Sequence, residues 1–249
     1  MIPDYFSKRK TVRNFQKKNI SDEKIKEILE VAMRAPTCGN MQLYSIIITK
    51  EEENKRKLEA LHYNQPAATT SSVILTVCAD FKRFTQWCNH NEANPGYDNF
   101  HSFIMSLTDA LIYAQQIVTI AELEGFSTCY LGTVNYNAKE ISELLNLPDL
   151  VIPVASIAIG IAEKEESQVE RLPIESIIHE ESYRDLSDDR VSSYFKIHEE
   201  SETNKKFVEE AGKKNLAELF TTMRYPKELN EKVSESFLNL IREKGFLQD

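Results

Sequence analysis

The longest helical pattern in the chain is FHSFIMSLTDALIYAQQIVTIAELE, residues 100–124, and it decides the fold class. Its apolar residues recur at helical spacing over more than one face, and Gly125 follows as a helix terminator. These apolar residues are Phe103, Ile104, Leu107, Ala110, Leu111, Ala114, Ile117, Val118 and Ala121. A helix of this kind is predicted to lie at the centre of a domain or at a subunit interface.

Two almost continuous apolar runs, Val73–Ala79 and Ile152–Ile161, predict strands that are covered on both faces. Shorter strands are predicted at Ser45–Thr49 and at Thr128–Gly132, where the strand runs into a turn. Strands and helices alternate unevenly, and the long central helix and the helical tail do not resemble a doubly wound sheet. Neither GxGxxG nor GxxxxGKS/T occurs, so neither dinucleotide-binding fingerprint is available. We therefore predict an α+β domain with a C-terminal helical extension.

The other helices are predicted from caps and spacing. Ser21 is expected to cap a helix that ends at Ala35, because Pro36 disfavours helical backbone before it. Further helices are predicted over Glu51–Leu61, Lys139–Leu145, and near Phe207–Met223 and Leu229–Lys244, with loops at residues 36–42 and 89–99. Residues 1–162 are predicted to form the core and residues 163–249 the extension, together one structural domain.

Composition and charge exclude several classes of protein. The net charge is −9, of which residues 162–204 carry −8, and a globally acidic chain does not suit nonspecific nucleic-acid binding, which needs a basic face. No run approaches the roughly 18 apolar residues that span a bilayer, and residues 1–10 lack the apolar region of a signal peptide. We expect a cytoplasmic protein with no membrane and no nucleic-acid partner.

The cysteines do not indicate a disulfide framework or a zinc site. Cys38, Cys78, Cys88 and Cys129 show no CxxC spacing. A metal site built from Cys88, His90 and His101 is an alternative, but their spacing matches no common zinc pattern. No metal is therefore expected.

The basic segment Arg9-Lys10-Thr11-Val12-Arg13 is the first candidate site. If the segment is extended, Arg9, Thr11 and Arg13 point to one side and offer two guanidiniums and a hydroxyl. This set suits a phosphate, because arginine donates paired hydrogen bonds to it. The alternative is a solvated basic N-terminus, although Phe15 favours an anchored segment.

Three further segments carry groups that suit a ligand. Residues 35–42, APTCGNMQ, follow a helix, and their Asn and Gln amides suit the edge of a heterocycle; the alternative is an ordinary polar loop. In Tyr130-Leu131-Gly132-Thr133 the glycine lets backbone amides approach a ligand, and the alternative is a simple turn. Arg171 is an isolated base in acidic surroundings, where a salt-bridge partner is the more common role.

In their order and spacing, these segments resemble the FMN-dependent nitroreductase superfamily. The family's basic opening is similar to Arg9–Phe15, and its Ala-Pro-Ser-small-Gly-Asn-x-Gln loop is similar to Ala35–Gln42. Four later stretches are also similar: Cys78–Arg83, Leu144–Pro148, Val154–Gly160 and Arg171–Tyr183. The last of these resembles the branch of larger oxygen-insensitive nitroreductases and NADPH–flavin oxidoreductases, and the resemblance covers nearly the whole chain. It implies a nitroreductase-like fold, with a central mixed or antiparallel sheet flanked by helices and a C-terminal helical extension.

The resemblance implies roles for individual residues. Arg9, Thr11 and Arg171 would hold the FMN phosphate. Lys10 would lie beside the ribityl chain or the pyrimidine ring, and Arg13 would approach the N1 and C2-carbonyl pole of the flavin. Thr37, Cys38, Asn40 and Gln42 would border the ring, and Tyr130, Leu131 and Gly132 would supply backbone contacts near N5. Where the branch holds arginines for the NADPH 2′-phosphate, this chain has Lys205 and Lys206 among glutamates.

The resemblance also implies an activity. It indicates an FMN-dependent NAD(P)H oxidoreductase that transfers hydride to nitroaromatics, quinones or flavins by a ping-pong mechanism, with NADPH or NADH as reductant. No catalytic residue of the chain is assigned, because the flavin carries the chemistry. A homodimer is implied, with FMN at its interface, helix 100–124 as an interface helix, and residues 163–249 completing the site and packing on the core or the partner. The alternatives are a flavin-destroying, dehalogenating or FMN-carrying member of the same fold.

Overall fold

A computed structural model describes residues 4–247, and its four strands form an antiparallel sheet in the order β1-β2-β4-β3. The strands are β1 Tyr44–Thr49, β2 Val73–Asp80, β3 Ser127–Tyr130 and β4 Val151–Gly160. Every residue of β2 and β4 is buried, which confirms that the two apolar runs are covered on both faces. The predicted α+β fold with an antiparallel sheet and flanking helices is confirmed.

The chain divides into two compact units, residues 1–166 with 233–249, and residues 167–232. Met1–Pro3 and Gln248–Asp249, which the predicted core and extension include, lie outside the described residues. That the two parts make one structural domain stays a prediction.

Seven helices of the first unit precede or connect the strands. They are α1 Asp4–Lys8, α2 Asp22–Ala32, α3 Glu52–Leu61, α4 Pro66–Thr70, α5 Lys82–His90, α6 Phe100–Leu123 and α7 Ala138–Leu144. The Ser21 hydroxyl accepts a 3.2 Å hydrogen bond from the backbone of Lys24, so the predicted cap of α2 is confirmed. The helix ends at Ala32, three residues before the predicted end, and a turn fills the residues before Pro36.

The two faces of the sheet contact different helices. Alternate residues of β2, such as Val73 and Leu75, join a core with α6 and α2, whereas Ile74 joins a second cluster with Leu58 of α3. The C-terminal helix α11, Lys227–Glu243, ends near the first core, and Phe246 after it is fully buried there. The sheet is thus a layer between helices, which explains why its central strands carry almost no polar side chains.

Helix α6 is the central helix of the first unit, as its pattern predicts. It packs on β1, β2, β3, β4 and α2, and its buried residues include Ala110, Ala114 and Ile117. Among residues 4–247, α6 is also the helix long and apolar enough to cross a membrane by length and composition alone. The sequence-based expectation that nothing approaches a membrane span was too strict on this point, but the packing of α6 on the sheet is typical of a core helix.

The second unit differs from the sequence-based prediction. Its acidic stretch contains helix α8, Asp188–Glu199, and the helix predicted near Phe207–Met223 is divided into α9, Glu202–Glu210, and α10, Leu216–Leu219, with a π-helical turn over Phe220–Arg224. Gly212 separates α9 from α10 with a φ of 61°, a left-handed conformation that ends helices. Asn215 then caps α10 by accepting from the backbone of Glu218 at 2.8 Å.

Candidate functional site

The basic segment of residues 9–13 is fastened to the sheet by its backbone. Val12 donates a 3.1 Å hydrogen bond to the carbonyl of Thr128 in β3, and Phe15 pairs with Ala162 in an antiparallel bridge. Val12 and Phe15 are both buried. The segment is therefore anchored, as Phe15 predicts, and its polar residues have defined positions.

A buried carboxylate orients Arg9. Nε of Arg9 lies 3.4 Å from Oε2 of Glu122, near the end of α6. The hydroxyl of Tyr5 donates to the same oxygen at 2.7 Å, and the hydroxyl of Thr128 donates to Oε1. Burial and the hydrogen bond to Glu122 raise the pKa of Tyr5 to about 12, so its hydroxyl remains a donor. Because a guanidinium has five N–H donors, a contact through Nε is compatible with anion binding by Arg9.

Lys10 pairs with an exposed acid. Its Nζ bonds Oε1 of Glu165 at 2.9 Å, and this hydrogen bond lowers the pKa of Glu165. Exposed ion pairs contribute little because water screens them. An anionic ligand can therefore replace Glu165 as the partner of Lys10.

A cavity of about 530 Å³ lies beside the basic segment. Four basic side chains line it, and so do four acidic ones: Lys8, Arg9, Lys10 and Lys164, with Glu122, Glu163, Glu165 and Glu166. Its lining is therefore balanced in charge. An anion that binds here gains its contacts by displacing surface glutamates rather than by entering a purely positive pocket.

The basic segment packs against β3 and the residue that follows it, because Val12 bonds Thr128 and shares a buried cluster with Cys129 and Leu131. Burial raises the pKa of Cys129, and the positive charges of Arg13 and Arg9 oppose that rise. Burial likewise raises the pKa of Tyr130 to about 12, against the charge of Arg9. The structure thus brings the basic segment next to the residues that open the predicted turn at 130–133.

The loop of residues 36–42 is built around a buried carboxylate, Asp109 of α6. The hydroxyl of Thr37 donates to Oδ2 of Asp109 at 2.6 Å, and the backbone of Cys38 donates to Oδ1 at 2.9 Å. The Thr37 hydroxyl also accepts from the backbone of Gln42 at 2.8 Å. Thr37 is therefore committed to shaping the loop.

The same loop has an unusual backbone. Gly39, Asn40 and Gln42 have φ values of 54°, 56° and 54°, in the left-handed region that non-glycine residues rarely occupy. Cys38 and Asn40 are exposed, and Gln42 is half-buried. The loop is thus held in one conformation that presents polar groups outward.

The turn after β3 is joined to the turn after α3. Leu131 is buried and its backbone donates to the carbonyl of Ser156 at 2.8 Å. A Cβ added to the next residue, Gly132, would meet no atom within 4 Å, so a ligand has room to approach its backbone. Oγ1 of Thr133 lies 2.8 Å from Nδ1 of His62 and accepts from Gln65 at 3.3 Å.

The remaining predicted site residues belong to the second unit. Arg171 is exposed and donates to the carbonyls of Val169 and Glu170, both at 3.2 Å. Lys205 bonds Glu202 at 2.9 Å, and this hydrogen bond raises the pKa of Lys205. Lys206 lies 3.7 Å from a carboxylate oxygen of Glu210. The two lysines thus have acidic neighbours, in keeping with the glutamates around them in sequence.

The described side chains form no candidate metal site. Across residues 4–247, no group of three or more His, Cys, Asp or Glu side chains is arranged so that it could hold a metal ion.

Sequence reasoning missed the residues whose side chains contact the predicted site segments and hold them in place. They are Asp109, Glu122, His62 and Gln65. Asp109 had a signal, since it is the one Asp, Glu, Lys or Arg between Phe100 and Ala121 of a largely apolar helix. A charge at such a position is retained only with partners, because burying it alone is costly. His62 and Gln65 had none, because their partner lies far away in sequence.

Comparisons with known proteins agree with this fold. A model of the nitroreductase family matches residues 6–161. A Cr(VI) reductase of Pseudomonas sp. strain G-1 is 32% identical over 183 residues, covering 74% of this chain and 75% of the relative. An FMN reductase (NADPH) of Bacillus subtilis is 30% identical over 182 residues, covering 72% and 73%. A solved structure from Bacteroides fragilis is 41% identical, with a TM-score of 0.97 over 99% of this chain and 100% of its own.

Proposed function

The chain belongs to the nitroreductase family and is an oxidoreductase, and we propose that it uses FMN to pass reducing equivalents from NADPH or NADH to nitroaromatics, quinones or flavins. The name of the Bacillus subtilis relative, FMN reductase (NADPH), supports the cofactor and the reductant. The two co-substrates would use one site in turn, in a ping-pong mechanism. This shared site would explain a broad choice of acceptors.

One observation carries most of the proposal: the anchored basic segment lies next to the open backbone at Gly132. Val12 of the segment bonds Thr128 in β3 and packs in one buried cluster with Leu131, and Gly132 begins the next turn with free space over its Cα. A flavin mononucleotide has an anionic end and a planar ring with polar edges. Cations on one side and an accessible backbone on the other fit both parts of such a molecule.

The phosphate would be held by Arg9, Thr11 and Arg171, with Lys10 beside the ribityl chain or the pyrimidine ring. Each charge-assisted hydrogen bond contributes about 1.5–3 kcal/mol. Three of them contribute roughly 5–9 kcal/mol before the costs of ordering and association. That is enough to retain FMN without a glycine-rich phosphate loop.

The ring would be bordered by Cys38, Asn40 and Gln42 of the loop, with Thr37 holding that loop on Asp109. Tyr130, Leu131 and Gly132 would contribute backbone contacts near N5. When bound, FMN supplies the hydride chemistry. Arg13 contributes a positive charge that stabilises the reduced form, which is how a protein tunes such a cofactor.

We also propose that the protein is a homodimer with α6 at its interface and residues 163–249 completing the FMN site. Apolar side chains of α6 that do not face the core are exposed in the single chain. They include Phe100, Ile104, Leu111 and Ile112, with exposed fractions from 39% to 44%. Burying this face against a second copy removes apolar surface from water.

The choice between NADPH and NADH depends on the second unit. Lys205 and Lys206 are proposed to contact the 2′-phosphate of NADPH. Each already lies beside a glutamate, Glu202 or Glu210, that would repel a phosphate. We therefore expect only a small preference between the two nicotinamides.

A visible absorbance spectrum tests the proposal directly. The purified protein, reconstituted with FMN, is expected to show a flavin spectrum that bleaches on anaerobic addition of NADPH or NADH. A protein that takes up no FMN contradicts the proposed function. Flavin that binds but is not reduced by either nicotinamide indicates an FMN-carrying protein instead. Loss of the flavin under oxygen, or release of halide from a halogenated substrate, indicates the other two alternatives.

A further inference from the structure

The turn after α3 and the segment after β3 are fastened together by side chains. Asn137 donates to the carbonyl of Leu61 at 2.6 Å. The rings of Tyr63 and Tyr136 meet edge to face with centroids 6.0 Å apart. Two further contacts converge on Thr133, from His62 and Gln65. The turn at 61–65 is therefore a support for residues 131–137.

His62 is the buried member of this contact. The side chain is fully buried, and its burial lowers the pKa of the imidazole to about 4, so the ring is neutral near pH 7. Its Nε2 has no hydrogen-bond partner among the described residues. The 2.8 Å contact with Thr133 is thus its one side-chain hydrogen bond in the described part of the chain.

The two residues after His62 have an unusual backbone conformation. Tyr63 and Asn64 both have φ values of 55°, in the left-handed region. Asparagine adopts this conformation more readily than most residues, but tyrosine rarely does, so surrounding contacts help to hold the pair. In the turn, His62 precedes Tyr63 and Asn64, and Gln65 follows them. The side chains of His62 and Gln65 both contact Oγ1 of Thr133.

Thr133 transmits the contact to the ligand-facing backbone. It follows Gly132 directly, and Leu131 on the other side is fixed by burial and by its bond to Ser156. Gly132 has wide conformational freedom of its own. Its position is therefore set by Leu131 before it and by Thr133 after it.

We propose that His62 is a positioning residue: through the hydroxyl of Thr133 it fixes the backbone at Gly132, where the ligand approaches. The inference rests on the proposed function in that the ligand is FMN. His62 itself touches no ligand in this scheme. Gln65 supports the same hydroxyl from the opposite end of the turn.

Amide hydrogen exchange of the protein without added FMN tests the positioning step. His62→Leu and Thr133→Val are expected to accelerate exchange in residues 131–136 about tenfold relative to the wild type. His62→Asn, which keeps a polar atom near the place of Nδ1, and Thr133→Ser, which keeps the hydroxyl, are expected to restore most of the protection. Tyr63→Phe keeps the ring contact and is the matched control on the same turn.

FMN affinity, measured by quenching of flavin fluorescence, tests the consequence for the site. His62→Leu and Thr133→Val are each expected to weaken binding about five- to tenfold, the size of one neutral hydrogen bond. The double variant is expected to be no weaker than the worse single one, because both remove the same contact. If His62→Leu does not fold, Thr133→Val and Thr133→Ser still decide the question, since Thr133 is only half-buried.

The outcomes separate this inference from the proposed function. A wild type that binds no FMN contradicts the proposed function, while hydrogen exchange still decides whether His62 fixes the turn. Unchanged exchange in Thr133→Val overturns the positioning role. Faster exchange with wild-type FMN affinity, or additive losses in the double variant, overturns the link between His62 and the ligand site.

Discussion

The hydroxyl of Thr37 donates a 2.6 Å hydrogen bond to the carboxylate of Asp109, 72 residues further along the chain. The same carboxylate accepts from the backbones of Cys38 and Leu43 at 2.9 and 3.3 Å. It is only 3% exposed, so its charge is stabilised by these donors rather than by water. The loop proposed to border the flavin is therefore shaped by a residue in the core of α6.

Asp109→Asn is expected to destabilise the protein and to loosen this loop. The amide replaces one acceptor oxygen with a donor, which must face N–H or O–H groups that now lack an acceptor. The free energy of unfolding in urea should fall by about 2 kcal/mol, and the KM for the electron acceptor should rise. Asp149→Asn, at an exposed position, is the control. Equal stability of the two variants would show that Asp109 does not hold the loop.

Gly160→Ala is expected to displace Phe15 and with it the basic segment. A Cβ at position 160 would lie 2.7 Å from Cδ1 of Phe15, closer than Cβ atoms approach other side chains, and 3.0 Å from its Cγ. Because Phe15 is buried, the crowding should lower the free energy of unfolding by about 1–3 kcal/mol and reduce retention of FMN. At Gly96 an added Cβ meets nothing within 4 Å. Gly96→Ala should therefore retain wild-type stability, and a similar result for Gly160→Ala would refute the packing argument.

The double variant Arg9→Glu/Arg171→Glu tests the proposed phosphate contacts. Removal of two charge-assisted hydrogen bonds, at about 1.5–3 kcal/mol each, should weaken FMN binding by at least a hundredfold. FMN retained through purification, measured by absorbance against protein concentration, is the readout. Arg56→Glu/Arg190→Glu changes the net charge equally at two exposed positions outside the proposed site. Wild-type FMN retention in the first variant would exclude the phosphate assignment.

Because His62 is buried, we expect the free energy of unfolding to fall in mild acid. Burial lowers its pKa from 6.5 to about 4 in the folded chain, so between these values the unfolded chain binds the proton more strongly. The free energy of unfolding is therefore not reduced by His62 above pH 6.5. It falls as the pH drops from 6.5 through about 4, by about 3 kcal/mol in all. Urea unfolding at a series of pH values measures it. The difference between wild type and His62→Asn isolates this histidine from carboxylates that titrate in the same range, and a difference independent of pH would contradict the prediction.

Ile104→Glu/Leu111→Glu tests the proposed dimer. Both side chains are exposed on α6, 39% and 41%, so charges there should leave the fold intact. They should nevertheless prevent burial of the face against a second copy, and sedimentation velocity should show a monomer. Ile48→Glu, on β1 and 47% exposed, should sediment like the wild type. A dimer that persists in the α6 variant places the interface elsewhere.

Predictions from local pattern were confirmed where a single cap or a continuous apolar run determines the secondary structure. Ser21 caps α2 as its side chain and position indicate, and the apolar runs became the two fully buried strands β2 and β4. The helix predicted near Phe207–Met223 was wrong because periodicity was extended across Gly212, whose left-handed backbone separates α9 from α10. The site roles of Arg9, Arg171 and the other assigned residues stay predictions.

The fold class and the family follow from local spacing in the sequence: a long apolar helix, two continuous apolar strands, and short polar motifs in a fixed order. The contacts that support those motifs depend instead on the folded chain. Asp109 under the 36–42 loop, Glu122 beside Arg9 and His62 behind Thr133 are joined to their partners across 72, 113 and 71 positions of the chain. A hydrogen bond between residues so far apart leaves no periodic pattern in the sequence, because the two atoms come within reach only when the backbone folds.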